Sequence, residues 1–232
     1  MTPKKVVGII PAKGYSRRVP RKNMRLFNGK PLIYYTLQCA LESRCLDEIY
    51  VSTDSEEIKA YCESAGVKVP FMRPPELSRD EVHGSVPILD MLEKLGGSSK
   101  YSYCVSLLPT CPLRRVRTVD AIISLSIKTQ RNVLSASPLG KLIYHLRTLS
   151  SDGLVHPITK DLVYNFQTQD APELFCLGGG AQCAPVEEVL AHRTFQYGNP
   201  MGYVVDSIEA WDIDTEADFQ VAERLADLVP YS

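Results

Sequence analysis

Two stretches of this chain carry residue types whose spacing could do chemistry. The first reads Pro11-Ala12-Lys13-Gly14-Tyr15-Ser16-Arg17-Arg18-Val19-Pro20-Arg21-Lys22-Asn23. Gly14 lets the backbone approach a phosphate closely, and successive N–H groups there can form an anion nest. Lys13, Arg17, Arg18, Arg21 and Lys22 can neutralise a triphosphate and the charge that develops on departing pyrophosphate. The stretch has no G-x-x-x-x-G-K-[ST] pattern and no G-x-G-x-x-G pattern, which argues against a P-loop and against nicotinamide binding. The second stretch is Asp212-Ile213-Asp214. Carboxylates at i and i+2 of an extended segment point the same way and suit an octahedral Mg²⁺ shared with phosphate oxygens. Each stretch has a plainer reading. A charge run is most often a solvated loop, and a lone D-x-D is most often a surface turn. Thr215 is also a plausible N-cap for a closing helix.

The plainer readings weaken once the flanking elements are considered. Val6–Ile10 is a continuous apolar run that reads as a buried parallel strand. The basic loop therefore leaves the carboxyl end of a strand, where open α/β sheets bind ligands. Helical spacing over Leu32–Leu41 follows Pro31, and Glu48–Ser52 reads as a second strand. Asp54 with Glu57 resembles a capping box for a helix running to about Ala65, stopped by Gly66. Val67–Phe71 reads as a third strand, Val86–Leu95 as a helix ended by Gly96-Gly97, and Tyr103–Leu108 as the most apolar strand. A helix over Val116–Ile127 and a strand over Asn132–Ser137 complete the alternation. Such alternation predicts an α/β fold, a mostly parallel sheet with helices on both faces. Beyond Pro138 the pattern loosens. Leu142–Leu149 and Leu174–Ala184 read as antiparallel pieces, Pro185–Ala191 as a short helix, Tyr203–Val205 as a late strand and Glu216–Leu228 as an amphipathic helix. The expectation is one domain over 1–232, with a small excursion at about 138–200.

Bulk properties limit the function classes. The 232 residues carry a net charge of −1, so the whole molecule is not a polycation built for nucleic acid. No run approaches the roughly 18 apolar residues of a membrane span. Seven cysteines without a C-x-x-C pair read as buried thiols of a reducing cytosol.

Several short motifs occur in order along nearly the whole chain. They are Ile10-Pro11-Ala12-Lys13 with Ser16-Arg17, Pro20 and Lys22-Asn23; Gly29-Lys30-Pro31-Leu32; Val51-Ser52-Thr53-Asp54; Arg73-Pro74-Pro75-Glu76-Leu77 with Asp80; Pro109-Thr110-Cys111-Pro112-Leu113-Arg114; and Asp212-Ile213-Asp214-Thr215 with Asp218-Phe219. On these the sequence resembles the acylneuraminate cytidylyltransferase family, the CMP-sialic acid synthetases and their relatives. The resemblance implies a Rossmann-like three-layer α/β/α nucleotidyltransferase fold, CTP as donor, magnesium, and a homodimer joined through the excursion. It implies that Ala12, Lys13, Gly14, Ser16, Arg17, Lys22 and Asn23 hold CTP, that Arg73 helps read cytosine and that Ser85, or its neighbour Gly84, assists. Lys22 and Arg17 would act in catalysis with Asp212 and Asp214, the two carboxylates that would hold Mg²⁺.

Departures from the family pattern gather on the side that would hold the acceptor. Leu108 stands where the family has Gln, and Thr168-Gln169-Asp170-Ala171-Pro172 lacks the family's arginine. Gly179-Gly180-Ala181 replaces N-G-A, and His145 falls near a family lysine. A site built to pair polar groups loses heavily when they go. The expected acceptor is thus a nonulosonic (sialic-like) acid other than ordinary N-acetylneuraminate, with a small phosphonate as the alternative. Lys141, His145, Arg114, Arg115 and Arg117 could supply charge for a dianion. A metal-dependent sugar transferase also uses D-x-D, but usually in mid-chain. A non-catalytic binding module is the remaining rival.

Overall fold

The alternation of side chains along the first strand sets the architecture. In β1 (Val6–Pro11), Val6 and Ile10 enter one apolar cluster while Val7 and Ile9 enter another on the opposite face. A strand buried on both faces must be covered by helices on both sides. Each fully buried side chain of this size contributes about 1.5–3 kcal/mol relative to exposure. In the computed structural model, which describes residues 5–139, 146–157 and 173–228, those helices are present.

After β1 come the two-residue strands β2 (Leu26–Phe27) and β3 (Lys30–Pro31), then α1 (Leu32–Glu42), β4 (Glu48–Ser52), α2 (Glu56–Ser64), α3 (Val86–Lys94), β5 (Tyr103–Leu107), α4 (Val116–Thr129) and β6 (Val133–Pro138). The rest is β7 (Arg147–Leu149), β8 (Val155–Pro157), β9 (Phe175–Pro185), α5 (Val186–His192), β10 (Met201–Val204) and α6 (Glu216–Ala226). The main sheet has the order β10-β6-β9-β5-β1-β4. β1 is parallel to β4 and β5, β6 is parallel to β10, and β9 is antiparallel to both β5 and β6. Five strands therefore run one way and β9 alone runs against them, so the sheet is mostly parallel, as the alternation predicts. Ile33, Leu37, Ile58, Val119 and Ile122 of α1, α2 and α4 cover one face. Ile88, Leu92, Val186 and Val189 of α3 and α5 cover the other. A third cluster joins Phe27, Leu32 and Leu113 to Ile213 and Phe219, and so docks α6 beside the D-x-D segment.

Three local expectations need correction. Val67–Phe71 is not a strand of its own. It contributes one isolated parallel bridge, Tyr50–Lys68, at the edge beside β4, and Met72 just beyond it makes another with Thr53. Pro70 and the nearby prolines lack the N–H donors that a ladder needs. Asp54 is not the cap of α2: Ser55 is, its hydroxyl accepting from the Ile58 N–H. Leu174–Ala184 is antiparallel as expected, yet as β9 it lies inside the main sheet, between β5 and β6, while among the described residues β7 and β8 pair with each other. Gly66 does end α2, with φ +86°, and Thr215 with Asp218 forms a full capping box on α6. No helix among the described residues is long and apolar enough to cross a membrane.

Candidate active site

The loop after β1 is held in shape by its own backbone and by neighbours at the strand ends. The Ala12 N–H donates to Ser52 O at 2.9 Å, extending the β1–β4 pairing by one residue and burying Ala12 completely. The Gly14 N–H donates to the Asp54 carboxylate at 2.8 Å. A Cβ on Gly14 would lie 2.8 Å from the Ser55 Cβ, so the close approach requires glycine. This N–H is therefore tied to Asp54 and is not a free member of an anion nest. Asn23, buried in a 3₁₀ turn over Lys22–Met24, donates its amide to Lys13 O at 2.9 Å. The loop is thus closed on itself between residues 13 and 23.

The D-x-D segment meets this loop from the other side. The Ile213 N–H donates to Thr110 O at 2.8 Å, which fixes the segment to the chain leaving β5. Lys22, with 12% of its side chain exposed, donates to Ile213 O and lies 3.9 Å from Asp214 Oδ1. Burial lowers the pKa of its ammonium, and Asp214 and Asp212 pull it back up. Arg18 pairs with Asp214 at 2.9 Å. Asp212 is exposed, with Cys111 Sγ 3.7 Å from its Oδ1.

A cleft of about 500 Å³ opens between these parts. Lys13, Ser16, Arg17, Lys22, Asn23 and Arg73 line it, as does Asp214. Arg73 is buried: its Nε donates to Ser52 Oγ at 3.1 Å, and a second nitrogen donates to Ser52 O. Burial pulls its pKa down to about 10, against the pull of Asp54 and Asp90, so it stays charged at neutral pH. Lys13 and Arg17 both pair with Asp80, at 2.6 Å and 3.1 Å. The opposite wall is Leu108, Pro109 and Thr110.

Four of the residues named from sequence do not line the cleft. Ala12 is buried against β4, and the Gly14 N–H is tied to Asp54. Ser85 is buried at the start of α3 without a side-chain cap bond, while Gly84 reaches the surface of the cleft. Asp212 stands outside the lining, though its charge acts on Lys22. Two of the three arginines considered for an acceptor dianion are otherwise engaged, and Arg117 is exposed on α4 and does not line the cleft. Arg114 is buried and donates to Leu108 O, Gly179 O, Gly180 O and Thr36 Oγ1. Arg115 pairs with Asp206 at 2.6 Å. Lys141, His145 and 168–172 lie outside the described residues. Sequence reasoning gave no role to Asp80 or Arg79, both of which line the cleft with Arg18 of the basic loop. The basic loop itself was the available signal, because cations placed for a ligand need counter-charges when the ligand is absent.

Asp212 and Asp214 can be tested as a magnesium pair by their donor chemistry. Both offer hard carboxylate oxygens, and both lie close enough to Lys22 to act on its charge. The thiol beside them, Cys111, is pushed up to about 12 by burial and by Asp212, so it stays protonated at neutral pH. Two hard carboxylates, one of them on the cleft wall, fit magnesium by donor type.

Comparisons with known proteins bear on the family and the fold. Residues 7–137 match the family model described as cytidylyltransferase. A CMP-N,N'-diacetyllegionaminic acid synthase of Legionella pneumophila is 32% identical over 228 residues, covering 97% of each chain. A pseudaminic acid cytidylyltransferase of Campylobacter jejuni is 36% identical over 223 residues, covering 94% of each. Among solved structures, a CMP:2-keto-3-deoxy-manno-octonic acid synthetase complexed with CTP superposes with a TM-score of 0.73 at 17% identity, covering 97% of this chain and 99% of that one. That likeness concerns the fold. The family match and the full-length relatives together show that this chain is a nucleotidyltransferase belonging to the cytidylyltransferase family, as its resemblance to the acylneuraminate cytidylyltransferases implies.

Proposed function

We propose that this chain transfers CMP from CTP to a nonulosonic acid and releases pyrophosphate. The observation that carries the reading is the gathering of Lys13, Ser16, Arg17, Lys22, Asn23 and Arg73 in one cleft with Asp214. Lys13, Arg17 and Arg18 bind the phosphates as charge-assisted donors. Lys22 is the least exposed of the loop's ammonium groups and stands beside the carboxylate pair. It neutralises the α-phosphoryl group and the departing oxygen, where a desolvated charge acts most strongly. Arg73 and Asn23 fix the ribose and cytosine. An acceptor oxygen attacks the α-phosphorus in line, the bond to pyrophosphate breaks, and the acceptor hydroxyl gives up its proton. Asp212 and Asp214 would hold Mg²⁺, which when bound polarises the α-phosphorus.

The relatives' names support the acceptor assignment. They are proteins of legionaminic, neuraminic and pseudaminic acids, which favours such an acid over a small phosphonate or a sugar-transferase reaction. Assembly as a homodimer is part of the proposal. It is supported by the exposed apolar side chains Leu149, Leu154, Val155, Phe175 and Leu177 on β7, β8 and their link and on the outer half of β9. Work in the cytoplasm is supported by seven unpaired cysteines. Pyrophosphate release from CTP and Mg²⁺ across a panel of nonulosonic acids and phosphonates tests the reading. The expected result is the highest rate with a nonulosonic acid other than N-acetylneuraminate. A phosphonate or N-acetylneuraminate at the top of the ranking would overturn the acceptor assignment.

A further inference from the structure

The cleft is lined by six cations (Lys13, Arg17, Arg18, Lys22, Arg73 and Arg79) and by two carboxylates, Asp80 and Asp214. Asp214 has a role in the proposed metal pair. Asp80 has none, yet it makes two ion pairs with the loop. One oxygen takes Lys13 Nζ at 2.6 Å and the other takes Arg17 at 3.1 Å. Its carboxylate therefore sits between two cations assigned to the phosphates, engaging them as a phosphate's oxygens would. Those two cations hold its pKa below the ordinary carboxylate value, so it is charged at neutral pH.

The segment bearing Asp80 is tied by its backbone to itself and not to the sheet. It links the 3₁₀ turn Pro75–Ser78 to α3, and its backbone bonds are local: Val82 N–H to Arg79 O and Val86 N–H to His83 O. Lys13 and Arg17 are instead carried by the loop that Asp54 and Asn23 clamp. The cations of the ion pairs are thus carried by a clamped loop, and the carboxylate by a locally bonded one.

Resting on the reading of this cleft as a triphosphate site, we propose that Asp80 is an internal counter-anion. It competes with the pyrophosphoryl group for Lys13 and Arg17, yields when CTP binds, and returns to help expel pyrophosphate. A highly charged ligand outcompetes one carboxylate for the same donors. After transfer the same carboxylate can re-enter stepwise, so that neither cation is left bare as pyrophosphate leaves. The role predicts a gain of affinity on removing the charge, whereas a residue that merely orients Lys13 and Arg17 predicts a loss.

The test is calorimetric titration of pyrophosphate into the intact protein, with and without Mg²⁺, for wild type, Asp80→Asn and Asp80→Ala. Thermal unfolding is followed alongside to compare folding. Both variants should bind pyrophosphate about threefold to tenfold more tightly, the scale of two exposed ion pairs. Their affinity should also fall more steeply with salt, since the ligand then meets more uncompensated charge. Product inhibition by pyrophosphate should deepen by the same factor. Equal or weaker binding by the variants, with CTP turnover intact in wild type, overturns the role of Asp80 alone. A wild-type protein that binds neither pyrophosphate nor CTP overturns it together with the reading of the cleft.

Discussion

The two walls of the cleft are held in different ways. On the wall proposed for the nucleotide the polar groups come from loops, and three of its cations have partners that are charges a ligand can replace: Asp80 for Lys13 and Arg17, Asp214 for Arg18. On the opposite wall Leu108, Pro109 and Thr110 present little charge, and the one arginine beneath them is spent on backbone. Arg114 ties Leu108 O at the end of β5 to Gly179 O and Gly180 O of β9 and to Thr36 on α1. Gly180 accepts this with φ +57°, and a Cβ there would meet Cys111 Sγ at 2.8 Å. One wall is thus poised to exchange its partners, while the other is preformed. Substitutions on the first should be read mainly in turnover, and on the second mainly in stability.

The largest expected effect lies on the nucleotide wall. Lys22→Ala should lower kcat/KM by about 10²–10³, the usual scale for losing one preorganised charge stabiliser, with unfolding temperature little changed. An equal loss of stability would break the division between the walls. Next comes Arg114→Met, which removes a buried donor from three carbonyls and a hydroxyl and leaves Gly179 O with the largest loss, since Gly180 O keeps the Leu108 N–H and Leu108 O keeps the Cys111 N–H. It should destabilise the fold by about 3 kcal/mol, measured by denaturant unfolding. A fully stable Arg114→Met enzyme with lost turnover would place Arg114 on the functional side instead.

The smallest effect concerns the anchor of the D-x-D segment. Thr215→Ala removes the cap of α6 and should cost about 1 kcal/mol. Asp218, the reciprocal partner, is held below the ordinary carboxylate pKa chiefly by the Thr215 hydroxyl. A depressed folded value means its contribution is fully present above the unfolded pKa, near 4, and is lost as pH falls through the lower folded value. Acid unfolding of Asp218→Asn should therefore show a shallower slope in that window than wild type.

How much of this was legible in the sequence follows from what holds each part. The strand over Val6–Ile10 and its basic loop could be read because continuous burial and a charge run leave local signatures. Thr215 could be read because its capping partner is three residues away. Asp54 could not, since the same Asp-x-x-Glu spacing serves a local cap or a distant bond, and here the distant Gly14 N–H takes the carboxylate. Val67–Phe71 looks like a strand by composition, but Pro70 withholds a donor. Arg114 and Arg117 look alike in the chain, and only packing shows that the first is buried and the second exposed. Asp80 was visible in a motif, but its pairing with Lys13 spans 67 positions and leaves no local trace.

The central claim is cytidylyl transfer to an acidic sugar. Mass spectrometry of the product, formed with each of the four nucleoside triphosphates, Mg²⁺ and the best nonulosonic acid, tests it most directly. The expected result is a CMP ester of the acid, in equal amount to pyrophosphate, formed with CTP and lost in Lys22→Ala. Efficient transfer from another triphosphate, or pyrophosphate released without a CMP ester of the acid, would contradict it.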